Sequence, residues 1–399
     1  MKNEIFILGI FLFLMSGCVG NKQSGNQHDN VFTVDVTKSY PKKELILQDF
    51  MDVEYIPLED SDEYVTTGWL HAIGKEIIIV RTRIQTTDRN VVGTIYIFDR
   101  NGKAVRKINR IGEGPEEYRF LLAITLDEDN NEIFVNDHYS RKIFVYDLFG
   151  KFKRSFDHRE DGRGYYDMGI YNFDREHLLC SFINGEGKNK YFVISKQDGS
   201  VTKEIEIPYT EKISSNVYRR NEEGQIRSVM PIRNRTLVPH RDNSWILMEE
   251  SSDTIYRFVP DYSMIPLIVR TPSIKSMNPG VFLYPAVFTD RYFFMQTVRA
   301  EWNWDTNTGH TRINLMYDKQ ENAIYEYEVY NSDFTIKHPV LMTSEIHFGN
   351  NEIACIHILE AYELVEFYKN GQLNGKLKEI AAELDEDSNP VIMLVKYKK

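Results

Sequence analysis

The chain has 399 residues, of which 42% are hydrophobic, and a net charge of −11 at neutral pH. Binding to nucleic-acid phosphates requires an excess of Lys and Arg, so this acidic balance excludes nucleic acid as an expected partner. Three cysteines are too few for a scaffold held together by disulfides.

The N-terminus has the pattern of a secretory signal peptide. A short charged start precedes an apolar run over residues 5–15, which is shorter than the roughly 20 residues that span a bilayer. The run ends in Leu14-Met15-Ser16-Gly17-Cys18, which resembles the bacterial lipobox, whose cysteine receives lipid and becomes the new N-terminus. We therefore predict a lipoprotein signal peptide over residues 1–17 and lipidation of Cys18. The alternative is an ordinary signal peptide with an incidental cysteine.

Residues 18–30 follow as a tether. Their sequence, CVGNKQSGNQHDN, is polar and rich in Gly, Asn and Gln, which is typical of a flexible linker. Each methylene of an acyl chain buried in a bilayer contributes about 0.8 kcal/mol. A multiply acylated Cys18 would therefore anchor the protein to a membrane without spanning it.

The remaining sequence repeats a pair of alternating strands joined by a turn with Asp, Asn or Gly. Other strand pairs precede these hairpins, such as 122–126 with 132–135. Four strands per repeat, at a period of about 40–60 residues, predict six propeller blades. The six hairpins lie at 94–108, 142–156, 190–207, 254–271, 312–329 and 363–380.

The two ends of the body also carry strand patterns. Residues 31–36 and 53–57 alternate near the N-terminus, and residues 391–397 do so near the C-terminus, after a short helix predicted over 376–384. Pairing of N- and C-terminal strands would remove an open sheet edge. The expected fold is therefore all-β: a six-bladed β-propeller of four-stranded blades over residues 31–399, closed by its terminal strands.

One segment carries a family resemblance. Gly112, Gly114, Pro115, Glu117 and Tyr118 lie in RIGEGPEEY, which resembles the G-x-G-P-x-E-[FY] segment of six-bladed β-propeller lipoproteins abundant in Bacteroides and its relatives. Residues 124–152 resemble an NHL-type repeat, and residues 384–398 are similar to the end of this family. The resemblance implies a lipid-anchored propeller without a settled activity, in a family that often accompanies carbohydrate uptake.

The location follows from the same resemblance. We expect a bacterial cell-envelope protein, lipid-anchored to the outer membrane. Surface-exported lipoproteins of these bacteria tend to carry an acidic run after the lipidated cysteine, and none follows Cys18. We therefore expect the body to face the periplasm.

Two motifs suggest chemistry but favour a structural interpretation. The glycines of the Gly112–Tyr118 segment could cradle phosphate, yet the Lys-Ser/Thr of a P-loop is absent. We expect a structural turn in which Pro115 fixes the chain direction. Asp137, next to His138, could act as a base, but an Asp in this kind of repeat more often bonds the backbone of its own turn.

No metal or cofactor is predicted. The histidines lack ligand spacing, and the acidic run 385–387 lacks the spacing of a calcium loop. Cys180 and Cys355 lie in apolar strand patterns and are expected to be buried free thiols, although a disulfide between them is the alternative.

An insertion near residue 300 gives the candidate binding site. Trp302 and Trp304 could stack on a sugar ring while Glu301 or Asp305 bonds its hydroxyls. The alternative is that the Trp rings fill a gap between blades. Two other insertions, residues 81–92 and the Arg219-Arg220 loop, are weaker candidates for the same rim.

These observations favour a non-catalytic, membrane-tethered propeller that engages a glycan or an envelope protein through loops at one mouth. The alternative is a hydrolase or lyase that acts on carbohydrate or a lactone, with a divalent metal such as calcium in the central channel. That alternative requires several acidic, Asn or His side chains from different blades to converge in the channel.

Overall fold

The structure is a computed structural model. It describes residues 31–61, 63–66, 69–81, 93–158, 165–183, 189–343 and 350–398. The predicted signal peptide, Cys18 and the tether lie outside these residues and stay predictions. Most of the insertion over 81–92 also lies outside them.

The first described segment supplies three strands and a short helix. These are β1 (Phe32–Asp35), β2 (Lys42–Ile46), α1 (Leu47–Phe50) and β3 (Met51–Pro57). None of the three strands pairs with another of the three. Each instead joins a sheet formed by later parts of the chain.

Three antiparallel sheets of four strands follow, each paired in chain order. Blade 1 is β4 (Trp69–Ile73), β5 (Ile77–Arg81), β6 (Thr94–Asp99) and β7 (Ala104–Asn109). Blade 2 is β8 (Ala123–Asp127), β9 (Glu132–Asp137), β10 (Lys142–Asp147) and β11 (Phe152–Asp157). Blade 3 is β12 (Tyr165–Asn172), β13 (His177–Ile183), β14 (Asn189–Ser195) and β15 (Val201–Ile205).

Blades 4 and 5 are accompanied by two small hairpins. The first hairpin, β16 (Val217–Arg220) and β17 (Ile226–Met230), precedes blade 4. Blade 4 is β18 (Leu237–Pro239), β19 (Trp245–Leu247), β20 (Thr254–Phe258) and β21 (Met264–Thr271). A 3₁₀ turn, Ile274–Ser276, leads to blade 5, which is β22 (Val281–Phe288), β23 (Tyr292–Arg299), β26 (Arg312–Asp318) and β27 (Ala323–Tyr330). The second hairpin, β24 (Trp302–Asn303) and β25 (Thr308–Gly309), lies between β23 and β26.

Blades 4 and 5 each gain a fifth strand from the N-terminal segment. Strand β1 pairs parallel with β21, and β2 pairs parallel with β27. The repeat pattern predicts four strands per blade, so these two added strands differ from the prediction. They cover outer edges that would otherwise expose unpaired backbone groups.

Blade 6 combines strands from both ends of the chain. Its described strands are β28 (Ile353–Leu359), β29 (Val391–Tyr397) and β3, in that order across the sheet. Strand β29 pairs antiparallel with β3, from Val391 opposite Pro57 to Tyr397 opposite Met51. The N- and C-terminal segments thus share one sheet.

The prediction of an outer hairpin over 363–380 is wrong. The chain instead forms α2 (Ala361–Lys369) and α3 (Gly375–Ala381). The buried residues of α2 are Ala361, Leu364 and Val365, which have the i, i+3, i+4 spacing of a helix face. Gly371, with φ +67°, turns the chain after α2 rather than at a hairpin. The helix predicted over 376–384 largely coincides with α3.

Six apolar clusters separate the blades, one between each neighbouring pair. Between blades 6 and 1, for example, Ile56 and Leu394 pack in the same cluster as Ile78 and Phe98. Middle strands such as β9 are buried along their whole length because a neighbouring blade covers each face. The described residues therefore form a six-bladed β-propeller, as predicted.

The recurring turn glycines are explained by contact with the preceding blade. Gly102 has φ +82°, and a Cβ there would lie 2.0 Å from the Pro57 carbonyl oxygen. Gly150 has φ +84°, and its Cβ would lie 2.7 Å from Ile108. These positions need both a left-handed backbone and the absence of a side chain. Elsewhere in the core, Cys180 and Cys355 are buried and free, as expected.

Replacing Leu394 in β29 with Ala should destabilise the propeller by about 2–5 kcal/mol, because the side chain is fully buried between blades. Leu341→Ala is the matched control, since Leu341 is 47% exposed and should change stability by less than about 0.5 kcal/mol. Urea unfolding measures both values. Equal effects from the two substitutions would contradict the conclusion that the paired terminal strands β3 and β29 form part of the core.

Candidate functional site

The antiparallel blades divide the loops between two ends of the propeller. Connections between the second and third strands of a blade, and between successive blades, lie at one end, which we call the upper face. Both small hairpins emerge there, within residues 206–236 and 300–311. Loops on a rigid scaffold commonly carry function, so the upper face of blades 4 and 5 is the candidate site.

Two adjacent carboxylates lie in the connection between β19 and β20. Glu249 is 2% exposed, and its Oε1 accepts a hydrogen bond from Lys212 Nζ at 2.6 Å. Its other oxygen, Oε2, is buried and has no hydrogen-bond partner among the described residues. A buried carboxylate oxygen without a donor loses the hydration it has in water.

Glu250 is held against blade 5. The hydroxyl of Tyr284, on β22, donates a hydrogen bond to Glu250 Oε1 at 2.7 Å. Burial, with a further contribution from the Glu249 charge, raises the pKa of Glu250 above its usual value. Burial and the Glu250 charge likewise raise the pKa of Tyr284. Glu250 is partly exposed, so it offers an upper-face ligand a carboxyl group that holds its proton to an unusually high pH.

A row of amide groups continues from Tyr284 across blade 5. Gln296 lies opposite Tyr284 in the sheet register, and Asn314 lies opposite Gln296. Gln296 Nε2 donates to Asn314 Oδ1 at 2.8 Å. Gln296 Oε1 accepts hydrogen bonds from Arg312 at 2.6 Å and from Asn234 at 3.2 Å. The row therefore joins blade 5 to the insertion that precedes blade 4.

The predicted Trp pair lies on the hairpin that extends β23 and β26. The rings of Trp302 and Trp304 are 6.5 Å apart in an edge-to-face arrangement, and both side chains are partly exposed. Trp302 also packs against His310, with ring centroids 5.2 Å apart. The pair thus has one side supported by the hairpin and another open to solvent.

The two predicted acidic partners of the Trp pair differ in their surroundings, since one is bonded to neighbouring side chains and the other is exposed. Glu301 forms an ion pair with Arg299 at 2.9 Å and accepts a hydrogen bond from the Thr311 hydroxyl at 2.7 Å. Asp305 is exposed at the hairpin turn. The structure brings all four predicted residues onto one hairpin, and their role in ligand binding stays a prediction.

The Gly112–Tyr118 segment forms an internally bonded turn between blades 1 and 2. Glu117 Oε2 accepts the N–H of Gly114 at 2.8 Å, and a Cβ on Gly112 would lie 1.9 Å from the same oxygen. The buried Tyr118 hydroxyl donates to the Gly93 carbonyl at 2.6 Å. Pro115 lies within this turn, which also contacts blade 2, where the Tyr146 hydroxyl donates to the Glu116 carbonyl at 2.7 Å.

Asp137 is fully buried and holds backbone groups. Its oxygens accept the N–H groups of Arg119 at 2.6 Å, Tyr139 at 2.9 Å and Ser140 at 3.1 Å. The Ser140 hydroxyl donates a fourth hydrogen bond at 2.7 Å. With four donors around it, this carboxylate organises a turn, as the sequence analysis favoured.

Within the residues that the structure describes, no group of three or more His, Cys, Asp or Glu side chains could hold a metal ion. The acidic run 385–387 forms a turn in which Asp385 Oδ1 accepts the N–H of Asp387 at 3.0 Å. His347 lies outside the described residues.

A cavity of about 490 Å³ opens at the opposite end of blade 5, near the turn between β22 and β23. Among its lining residues, Arg241 pairs with Asp290 at 2.8 Å. Arg291 also lines it and pairs with Asp318 at 2.8 Å. Both of these arginines are therefore already paired with a carboxylate.

Sequence reasoning missed Glu249, Glu250, Tyr284 and Lys212. A signal for two of them was present, because consecutive acidic residues directly follow the apolar run WILM at residues 245–248. No local pattern marks Lys212 or Tyr284. Their approach to the carboxylates depends on packing between separate parts of the chain.

Residues 31–396 match the family model described as a domain of unknown function, DUF4934. No curated protein matches the chain. Among solved structures, a Bacteroides fragilis protein described as exported is similar, with a TM-score of 0.57 and 14% identity over 90% of this chain and 99% of that one. None of the described helices is long and apolar enough to cross a membrane.

Two other solved structures are more distant. A member of the DUF4221 family from Bacteroides vulgatus has a TM-score of 0.46 and 10% identity, covering 88% of this chain and 98% of that one. Virginiamycin B lyase from Staphylococcus aureus has a TM-score of 0.34 and 12% identity, covering 87% of this chain and all of that one.

Replacing Glu250 with Gln should change how stability depends on pH. A carboxyl whose pKa is raised by folding contributes stability at low pH that is lost as the pH rises through the folded pKa. The variant cannot ionise, so its Tm relative to the native protein should increase from about pH 4 to about pH 7. Glu222→Gln, at an exposed site, is the control. A Tm difference that does not change with pH would contradict the perturbed pKa of Glu250.

Proposed function

The chain belongs to the DUF4934 family, and on this premise we propose that it is a membrane-tethered, non-catalytic propeller that binds a glycan through its upper face. The observation that carries the proposal is that β23 and β26 hold the amide row of Gln296 and Asn314 and lead into the hairpin with the partly exposed Trp302 and Trp304. Partly exposed indole rings suit the apolar faces of sugar rings, and amide groups suit their hydroxyls.

The arrangement of this surface supports a binding role. The ladder between β23 and β26 leads directly into the Trp hairpin, since Arg299 N–H donates to the Thr311 carbonyl at 3.0 Å. The aromatic and polar groups are therefore fixed relative to each other by strands rather than by a long free loop. Preorganised groups lose less conformational freedom when a ligand binds.

The cellular setting of the proposal comes from the N-terminus. The lipobox-like LMSGC sequence supports lipidation of Cys18, and the similar Bacteroides fragilis protein is described as exported. Outer-membrane anchoring with the body facing the periplasm would place the upper face among glycans taken up by the cell. An envelope protein is the other partner class that this setting supplies.

A hydrolase or lyase is the second candidate function. The observation in its favour is the raised pKa of Glu250, which keeps a proton on a partly exposed carboxyl group. A general acid works best when its pKa lies near the working pH. Product formation from an oligosaccharide, abolished in Glu250→Gln, would establish this candidate in place of simple binding.

Glycan binding is tested by thermal unfolding of the purified protein in mild detergent. The probes are oligosaccharides cut from pectin, xylan, mannan and mucin. A ligand present at 100 times its Kd stabilises the folded state by about 2.7 kcal/mol, which raises Tm measurably. We expect one class of probe to raise Tm, and the rise to disappear in Trp302→Ala and Trp304→Ala.

Trp245→Phe is the control, since Trp245 is buried between blades 3 and 4. It should lower Tm yet leave the response to the oligosaccharide intact. A response that survives both hairpin substitutions would contradict the assigned surface. No response to any probe would exclude these glycans as ligands.

Replacing Cys18 with Ala should release the protein from the membrane, because the acyl acceptor is lost. The measurement is Triton X-114 partition of cell extracts. The native protein should enter the detergent phase and the variant the aqueous phase. Cys355→Ala, which alters a buried thiol of the core, should leave the partition unchanged. Detergent-phase partition of the Cys18 variant would contradict the lipid anchor.

A further inference from the structure

Blade 1 contains a buried arginine whose charge is not neutralised. Arg81 ends β5 and lies directly opposite Trp69, the first residue of β4. Its guanidinium carbon lies 3.9 Å from the centroid of the Trp69 ring. The side chain is 6% exposed, and Nη1 donates a hydrogen bond to the Leu121 carbonyl. Its Nε is buried without a hydrogen-bond partner among the described residues.

Arg81 differs from the other buried cations in having no carboxylate partner within the described part of the chain. Besides Arg81, the buried Lys and Arg side chains of the described residues are Lys196, which is 4% exposed, and Arg270, which is 5% exposed. Lys196 pairs with Asp127 at 2.6 Å, and Arg270 pairs with Asp253 at 3.2 Å. No carboxylate of the described residues forms an ion pair with Arg81. Burial alone lowers the pKa of Arg81 to about 10.

A buried cation without a counter-charge is costly. Removing an ion from water is unfavourable even after relaxation, unless a partner charge restores the lost interaction. Stacking on Trp69 recovers only part of this cost. An arrangement of this kind becomes favourable when a ligand supplies the missing negative charge.

A second unpartnered group lies beside the arginine. His71 is buried, and its Nε2 has no hydrogen-bond partner in the described part of the chain. Its ring lies 5.7 Å from the Trp69 ring, centroid to centroid. Burial, together with the charge of Arg81, lowers the pKa of His71 to about 3, so the imidazole is neutral at physiological pH. A neutral imidazole can donate one N–H to an anion without adding charge.

The cluster lies at the upper end of blade 1. Trp69 begins β4 and Arg81 ends β5, so both lie at the upper end of blade 1, beside the connection that carries Leu121. Trp69 is partly exposed. The partly exposed Trp69 thus brings the edge of the cluster to the same face as the hairpins of blades 4 and 5.

We propose that Arg81, His71 and Trp69 form a binding site for an oxyanion group of a ligand. The guanidinium supplies charge and a planar pair of N–H donors, which match a carboxylate or the oxygens of a sulfate or phosphate. His71 supplies a neutral donor, and Trp69 fixes the plane of the guanidinium. This site does not depend on the glycan surface of blade 5, so either can fail without the other.

The site is tested by thermal unfolding of the purified protein with sodium glucuronate, sulfate or phosphate, each compared with sodium chloride at equal ionic strength. Glucose is the neutral analogue of glucuronate. We expect at least one oxyanion to raise Tm above the chloride value, with glucose inactive. A response to glucuronate alone identifies a sugar carboxylate, and a response to sulfate or phosphate alone identifies a tetrahedral oxyanion.

Arg81→Met is the decisive variant, because it keeps the apolar stem and removes the charge. Without added oxyanion its Tm should equal or exceed the native value, since an uncompensated charge is removed. Its affinity for the oxyanion should fall at least tenfold. Arg270→Met is the matched control: it leaves Asp253 without its cation, should lower Tm, and should keep the oxyanion response.

Tryptophan fluorescence gives a second measurement that does not rely on folding of the Arg81 variant. The chain contains four Trp residues, and an anion at Arg81 should change the emission of Trp69. The change should be absent in Trp69→Phe. The proposal is overturned if no oxyanion affects the native protein, or if Arg81→Met responds as the native protein does.

Discussion

Every blade of this protein depends on apolar contact with a neighbour on each face. The six clusters between blades form a continuous cycle, and the cluster between blades 6 and 1 completes it. Blade 6 exists because β29 pairs with β3 over seven residues, from Val391 to Tyr397. That pairing joins sequence segments more than 300 residues apart, so the whole cycle of packing depends on a contact of very long range.

The N-terminal segment also makes long-range contacts, at the outer edges of the blade sheets. Within 26 residues it lies against blades 4, 5 and 6 in turn, through β1, β2 and β3. Parallel addition of β1 and β2 covers edges that antiparallel hairpins leave open. The same half of the ring carries the candidate glycan surface, whose strands β23 and β26 are interior strands of a five-stranded sheet.

A rigid scaffold lets the upper face hold groups in unfavourable electrostatic states. The Glu249 carboxylate keeps one buried oxygen without a donor, and the Arg81 guanidinium keeps a charge without a counter-ion. Elsewhere in the described residues, buried charges such as Lys196 and Asp318 have partners of opposite charge. Polar groups left unsatisfied in a well-packed fold are natural points for ligand contact.

Local patterns in the sequence were sufficient to predict the structure where a strand pairs with the next strand along the chain. The hairpins over 94–108 and 142–156 were predicted because alternation and a turn glycine coincide within one short segment. The segment 363–380 was misassigned, since its apolar residues fit both periods and Asn370-Gly371 can end a helix as well as join two strands.

Long-range contacts were not predictable in the same way. Alternation identified β1 as a strand but not its parallel partner β21, because nothing local encodes that register. The Trp302/Trp304 hairpin was found from its unusual composition. Tyr284, Lys212 and the stacking of Arg81 on Trp69 were not, because these contacts arise from packing between segments.

Hydrogen exchange measured by mass spectrometry tests the central claim, that the upper face binds the ligand. The purified protein is compared with and without the oligosaccharide that raises its Tm. We expect added protection within residues 206–236 and 299–311, with the turns at 240–244 and 289–291 unchanged. Protection confined to those turns, which lie at the opposite end of blades 4 and 5, would contradict it.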